Sequence, residues 1–544
     1  MFTIFLPRAA WHVETWYAWP LVASQQVDDA CLWIYAALQM VSDICIAMDV
    51  TSSEISSSRN PSTSSSLRRV TTSVRGLSAQ FSAWLFNWTP FVLVSTYYIA
   101  STAVYTSATE GTIKVFYFFY MAVNFYIAAC TVIEAFLGIS PLRESRKAAI
   151  DVDQKDFQFP TPDDQLPVID IVIVAYLPNE QDIVKDQVFY ALDELVYPRN
   201  KLRINLVYNT PKPIEPLQTE LAEMEKQYPQ LKVINVPGSK SKADNLNHFF
   251  NFNTGADIIA IFDCDHFPHP YNPRWAAERF VQDSSVDIVQ GRCVVYNTNE
   301  TFFTKMIAIE FDKIYAVSHP GRSRLFKFGL FCGSNGYWKA DLLKGHQMHG
   351  HMLCEDIDSA LRAYGEGKKA VHDMNVLSYE MAPTNFAAFW KQRMRWAQGW
   401  TQASIRHMPL IWNSPPDGKR TVNERFGVLS LLFVREISYY LVTQHTCLLL
   451  SFIITGWPKN PTELVELVFF RYPMAEWFLF ATVVCLIFTL AITQMARSEF
   501  TTFWMMILFS IIYTPYLILM ATMGIYGHAR QIIGYSKWNA TSRK

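Results

Sequence analysis

Two carboxylates spaced i, i+2, Asp263 and Asp265, close the apolar run Ile258-Ile259-Ala260-Ile261-Phe262. That run reads as a buried strand of a parallel sheet, which delivers its acids at the carboxyl edge where open α/β sheets bind ligands. Two acids on one loop suit a hard divalent cation, which takes one or two carboxylates together with phosphate oxygens. Acids at a strand end also cap a following helix, so the spacing alone leaves both readings open.

Five further stretches carry polar chemistry at the ends of apolar runs. Val174-Ala175-Tyr176-Leu177-Pro178-Asn179-Glu180 ends a buried strand and starts a helix, a place that suits either a nucleotide or a plain turn and cap. Gly238-Ser239-Lys240-Ser241-Lys242 precedes a helix and suits phosphate or a solvated helix start; its spacing is not that of a P-loop. Phe331-Cys332-Gly333-Ser334-Asn335-Gly336 is a small-residue turn that lets a substrate approach the backbone. Cys354-Glu355-Asp356-Ile357-Asp358 opens a helix; an acid there can take a proton from an attacking hydroxyl or simply serve the helix dipole. In Gln392-Arg393-Met394-Arg395-Trp396, Arg395 can meet a diphosphate with planar donors and Trp396 offers a flat face to a sugar ring, while an interfacial helix uses the same residues as anchors.

The elements that must position these residues alternate in type. Within 150–385, β-rich runs at 168–176, 203–208, 232–236, 257–262 and 287–290 alternate with helical segments at 179–195, 215–228 and 241–250. Strand–helix alternation predicts a parallel, doubly wound sheet. Outside it the chain turns apolar: half of its 544 residues are hydrophobic and 17% are charged, which is too little charge for a soluble surface and predicts a membrane-embedded part. Candidate spans run over 84–105, 115–137, 438–454, 477–492 and 503–525. Arg68, Arg69 and Arg75 before the first pair, with Arg143, Arg146 and Lys147 after it, predict a hairpin with both flanks in the cytosol. The three later spans then leave the side of the basic tail open.

The remaining boundaries follow composition. Residues 1–48 read as an amphipathic, possible membrane segment, 49–76 as a Ser-rich disordered linker, and 77–140 as the transmembrane hairpin. Residues 150–385 form the α/β domain, 386–425 interfacial helices and a loop, 426–530 the C-terminal transmembrane helices and 531–544 a basic tail. A net charge of −1 gives no global field for nucleic acid, and the nine scattered cysteines form no C-x-x-C pair.

Taken in order between membrane spans, D-x-D, F-C-G-S, x-E-D and Q-x-x-R-W resemble the processive family-two glycosyltransferases, the group of cellulose, chitin and hyaluronan synthases. The likeness covers roughly residues 80–540, nearest to fungal-type membrane polysaccharide synthases. It implies a glycosyltransferase-A-type domain, a Rossmann-like mixed sheet, inserted between transmembrane helices, with the catalytic domain in the cytosol and the whole in the plasma membrane. It implies a UDP-sugar donor, a growing polysaccharide acceptor, contact with membrane lipid, and Mg²⁺ or Mn²⁺ at Asp263 and Asp265. Asp356 matches the general base. Gln392, Arg395 and Trp396 match the motif holding the diphosphate and acceptor sugar, and Phe331, Cys332, Gly333 and Ser334 the turn at the acceptor end. Tyr176 and Glu180 fall where uracil and ribose are held, and Lys242 in the lysine-bearing loop. One departure is Asn209, in Val207-Tyr208-Asn209-Thr210, where the family carries an aspartate that touches the nucleotide. Two rival expectations are a ceramide-glucosyltransferase-like enzyme that adds one sugar to a lipid, and a non-catalytic membrane scaffold.

Overall fold

The computed structural model describes residues 65–535, with side chains from residue 84. The expected segment at 1–48, the first part of the expected linker and the tail beyond 535 lie outside the described residues. The chain divides into two compact units at Trp84 and Leu85; of the first, the described part is the start of the helix Ser65–Ser107. That helix begins inside the stretch expected as a disordered linker, so the linker, where it is described, is helical from Ser65 onward.

Eight strands form one mixed sheet: β1 Ile169–Tyr176, β2 Leu202–Asn209, β3 Leu231–Asn235, β4 Ile258–Asp263, β5 His266–Pro268, β6 Val286–Val295, β7 Gly336–Lys339 and β8 Lys369–Glu380. Their order is β3-β2-β1-β4-β7-β6-β8-β5. The first four run parallel, as the continuous apolar runs require. The parallel order read from the strand–helix alternation ends at β4, and the sheet as a whole is mixed, as the resemblance implied. There β7 lies antiparallel to both β4 and β6, because the small-residue turn before it reverses the chain. β8 was not foreseen, since its polar and apolar residues are mixed; it pairs parallel with β6 across an irregularity at Gly291 and Arg292. The expected helix over 179–195 is two pieces, Leu177–Glu180 and Val184–Asp193.

The period-2 alternation of a strand sends neighbouring residues to opposite layers. Ile169, Ile171 and Ile173 pack with Val184, Val188 and Leu221 on one face. Val172 and Val174 pack with Leu246, Phe249 and Leu361 on the other. The sheet is thus covered on both sides, and polar residues at the ends of its strands are left at the carboxyl edge.

Four helices among the described residues are long and apolar enough to cross a membrane: Glu110–Asp153, Val422–Thr455, Ala475–Ala496 and Phe503–Ile532. The expected span over 84–105 belongs to Ser65–Ser107, which is not among these four. The first of the four is 44 residues long and runs past the expected hairpin boundary at 140 to Asp153. Ser145 there donates to Asn375 Oδ1 at 2.6 Å, and Asn375 Nδ2 donates back to the Ser145 carbonyl at 3.0 Å, tying this helix to β8. The expected interfacial loop up to 425 also ends early. A capping box of Thr421 and Glu424 starts a helix at Val422, and this continues into the membrane-length segment.

Candidate active site

Parallel strands in register bring their last residues to one edge. Tyr176 on β1 is level with Asn209 on β2, and Val174 with Asp263 on β4. Asn209 accepts from Asn245 Nδ2 at 2.9 Å and donates to the Ser239 carbonyl at 3.0 Å, which holds the lysine-bearing loop against the edge. Ser241 caps the following helix by accepting from the Asp244 amide. Glu180 accepts from the Tyr176 amide at 2.8 Å, folding the turn after β1 back on the strand.

That loop aims Lys242 at the aspartates. Its Nζ donates to Asp263 Oδ1 at 2.5 Å and to the Gly333 carbonyl at 2.6 Å. One ammonium therefore joins the D-x-D to the turn at 331–334. Burial acts to lower the Lys242 pKa, but Asp263, Glu355 and Asp356 outweigh it and raise it. The Asp263 amide donates to Ser334 Oγ at 3.1 Å, a second tie between the same two segments.

Gln290 on β6 completes the frame. Its Oε1 accepts from the Cys332 amide at 2.7 Å and its Nε2 donates to the Ser334 carbonyl at 3.0 Å. Asn335, at φ 53° and buried, donates to the Arg292 and Val376 carbonyls. Gly333 has φ +91°, and a Cβ there would stand 2.9 Å from Asp356 Oδ2, so the turn presents bare backbone to that carboxylate. Phe331, expected at the acceptor end, instead faces away: it is 1% exposed and meets Trp338 edge-on at 5.5 Å. It is a core anchor for the turn, chosen for bulk.

Asp356 stands in the first turn of the helix Glu355–Gly365. Burial pushes its carboxyl up, against the pull of Lys242 and Arg395. Burial and then the Asp356 charge push Glu355 up to about 7. Two adjacent buried acids that resist double ionisation are poised to hold or release a proton near neutrality. Asp358, two residues on, is fully buried and serves packing: it binds His407 at 2.8 Å, His349 at 2.7 Å and Arg362 at 3.0 Å. His407 ends the helix Phe386–His407, so Asp358 locks the helix of Asp356 to the helix of Arg395. Gly399 on that second helix would place a Cβ 2.4 Å from Cys354 Sγ.

Within the Gln392–Trp396 motif the two arginines divide. Arg393 is buried, paired with both Glu310 oxygens at 3.0 and 2.5 Å and stacked 4.7 Å over Trp396. Tyr516 donates to the same Glu310 at 2.7 Å. Arg395 forms no such pair and lines the cavity with Gln392 and Trp396.

That cavity measures about 640 Å³ and gathers the site. Tyr176, Glu180, Asn209, Lys242, Asp263, Asp265, Cys332, Gly333, Ser334, Asp356, Gln392, Arg395 and Trp396 all line it. Of the candidate residues, Phe331 alone does not. The cavity continues past Trp400 to Tyr439 and to Phe509, Tyr513, Tyr516 and Met520, all on membrane-length helices. It also meets Ile314 and Tyr315 in the π-helical segment Ile314–Ser318. Glu310 and the π-helical wall escaped sequence reasoning because helix 302–313 carries no short motif, Gln290 because a strand glutamine bears none, and Arg393 stood in the motif without a role of its own. The acids at Glu310 and Asp312 amid an apolar run were the only signal.

Asp263, Asp265 and His266 bring ligand atoms within 4.8 Å of one another. Two carboxylates and an imidazole facing a cavity fit a divalent cation. His266 is also bound to Glu380 at 2.8 Å and lies 3.4 Å from Asp265, an arrangement that orients the second aspartate. Burial alone would depress the His266 pKa, but Glu380 and Asp265 hold it well above its ordinary value.

Residues 258–526 match the profile of "Glycosyl transferase family group 2". A probable glycosyltransferase, YdaM of Bacillus subtilis, is 27% identical over 240 residues, covering 43% of this chain and 56% of its own. Probable glucomannan 4-beta-mannosyltransferase 1 of Arabidopsis thaliana is 25% identical over 288 residues, covering 52% and 51%. The chain spans about half the length of the curated relatives it matches. Among solved structures, the mannosyltransferase PcManGT from Pyrobaculum calidifontis, in complex with GDP-Man and Mn²⁺, aligns at TM-score 0.42 and 17% identity, over 69% of this chain and 100% of that one. The match of residues 258–526 to the family 2 glycosyltransferases thus falls on a mixed sheet whose carboxyl edge gathers the acids.

Proposed function

We propose that this enzyme is an inverting, metal-dependent polysaccharide synthase of a membrane, which takes a nucleotide-diphosphate sugar and extends a β-linked chain. The observation that carries the reading is the single cavity joining Asp263, Asp356 and Arg395 to the aromatic and methionine faces of the membrane-length helices. A site for one small transfer has no need of that extension; a growing chain does.

Asp263 and Asp265 would hold Mg²⁺ or Mn²⁺, which offsets charge on a diphosphate leaving group. The rest is done by this chain's own groups. Asp356 accepts the proton of the acceptor hydroxyl as that oxygen attacks the anomeric carbon, and one displacement inverts an α-linked donor to a β-linkage. Lys242 and Arg395 place two cations where the leaving group gains charge. Trp396 and Trp400 supply flat walls for sugar rings. Gln290 and Lys242 hold the Cys332–Ser334 turn at the acceptor end. The catalytic domain lies in the cytosol of a plasma membrane and the chain threads toward the membrane helices, following the positive flanks at 143–147.

The test is nucleotide release by the purified protein in lipid nanodiscs with Mn²⁺ or Mg²⁺. UDP-sugars are offered singly and in pairs. GDP-mannose is included because the matched plant relatives are named mannosyltransferases. Release from one donor, with a long product on sizing, supports the synthase. Asp356→Asn is expected to cut the rate by roughly 10²–10⁴-fold, the range of general-base catalysis. A one-sugar lipid product would replace this reading with single transfer, and near-normal synthesis by Asp356→Asn would remove Asp356 as the base.

A further inference from the structure

A second cavity, of about 380 Å³, lies where the helices Phe386–His407 and Phe503–Ile532 meet the helix Ser65–Ser107. Three cations line it, Lys391, Arg395 and Arg530, and among the described residues no carboxylate does. None of the three forms an ion pair among the described residues, whereas neighbouring Arg393, Arg406 and Arg435 all do. Arg395 Nε is buried and has no hydrogen-bond partner. The Arg530 guanidinium lies 4.1 Å over the Tyr535 ring, which fixes its charge at the wall.

Three convergent cations with no carboxylate among the described residues lining their cavity repel one another, Arg395 alone being partly offset by Glu355 and Asp356 on its other side, and a bound anion lowers that cost. Two guanidinium forks and an ammonium match the oxygens of a phosphate. The opposite wall is apolar and aromatic: Leu353 and Met394 line it, and Trp390 meets Tyr526 edge-on at 5.8 Å. Arg530 occupies the last turn of a membrane-length helix, which puts the cavity at the level of lipid headgroups, where aromatic rings and cations anchor. Arg395 lines this cavity and the transfer cavity alike, so what fills one touches a wall of the other.

We propose that Lys391, Arg395 and Arg530 form a binding site for one phosphate-bearing anion, either the headgroup of an anionic lipid or free phosphate. The full chain, purified in neutral detergent, is mixed with phosphatidylglycerol or with phosphatidylcholine and weighed by native mass spectrometry. Wild type is expected to retain one phosphatidylglycerol and to prefer it over phosphatidylcholine. Lys391→Gln with Arg530→Gln is expected to weaken retention roughly 30-fold, about fivefold for each cation removed. Because Lys391 is exposed, Lys391→Glu reverses one charge without disturbing packing and is expected to abolish retention. In a separate arm without lipid, inorganic phosphate is added and the melting temperature read; a rise in wild type that the double variant lacks assigns the site to free phosphate. Equal retention of phosphatidylglycerol by wild type and variants, with no phosphate-dependent rise, overturns the proposal.

Discussion

Lys242 and the Glu355–Asp356 pair set the chemistry of the site through charge held out of water. Lys242 bridges Asp263 and the Gly333 carbonyl, so Lys242→Met frees both. Losing a charge-assisted hydrogen bond of this kind is expected to lower kcat/KM by roughly 10–100-fold, read from steady-state donor titrations. The acid pair predicts a pH profile. Burial raises the Asp356 carboxyl above its ordinary range, beside Glu355 raised to about 7, so its proton-accepting form is lost and turnover falls as pH is lowered through that raised pKa. Asp356→Glu should keep that acid limb at reduced rate, while Asp356→Asn should lose it. The residues of this site were largely legible in the sequence, because hard acids, a cation-bearing loop and a Q-x-x-R-W run are scarce enough in order to be noticed. Phe331 was misread: its motif is shared by a turn and by the bulk that anchors the turn, and only burial separates the two. Gln290 was illegible, since a glutamine within a strand bears no mark of the turn it holds.

Two helices, Glu355–Gly365 and Phe386–His407, must meet closely for Asp356 and Arg395 to share a cavity. Their seam has a small side and a charged side. At the small side, Gly399 leaves no room for a Cβ beside Cys354. Gly399→Val is expected to cost about 1–3 kcal/mol from overpacking and to lower kcat while leaving the fold intact, checked by turnover and melting together. At the charged side, Asp358 holds partners from both helices and its carboxyl is driven down to about 2; burial opposes this, but His407 and Arg362 outweigh it. A depressed carboxyl contributes stability above the ordinary carboxylate range and loses it as pH falls toward 2. Asp358→Asn leaves those cations unpaired in a buried place and is expected to cost about 3–5 kcal/mol, visible as a lower melting temperature at pH 7. The parallel half of the sheet was legible as elements because strands buried on both faces read as unbroken apolar runs. β8 and the π-helical segment were not, because their residues answer to neighbours distant in sequence.

At the scale of the whole chain, the proposed synthase would pass its product along the wall that the membrane-length helices give the cavity. Met520 lines the cavity from the helix Phe503–Ile532, as Tyr439 does from Val422–Thr455. On the synthase reading, Met520→Trp is expected to shorten the polymer with little change in initial nucleotide release, because it narrows the wall on the membrane-length helices and leaves the carboxyl edge untouched; product sizing beside a release assay checks this. Membrane-length helices were legible from composition, but their true extents were not, since an apolar stretch says where lipid begins and not where a helix stops. The helix Glu110–Asp153 makes the point. At about 1.5 Å per residue its 44 residues reach some 66 Å, about twice a hydrocarbon core of about 30 Å. It is tied to β8 through Ser145 and Asn375 and packs along Ala475–Ala496 from Phe125, beside Phe478, to Arg146, which donates to the Met495 carbonyl. A bilayer that is too thin or too thick for its apolar part is expected to change its tilt, and Pro141, which lies between that part and Ser145, is where the helix can bend before the tilt reaches the sheet that carries the acids. Turnover is therefore expected to depend on acyl-chain length, checked by nucleotide release in nanodiscs of short- and long-chain lipid.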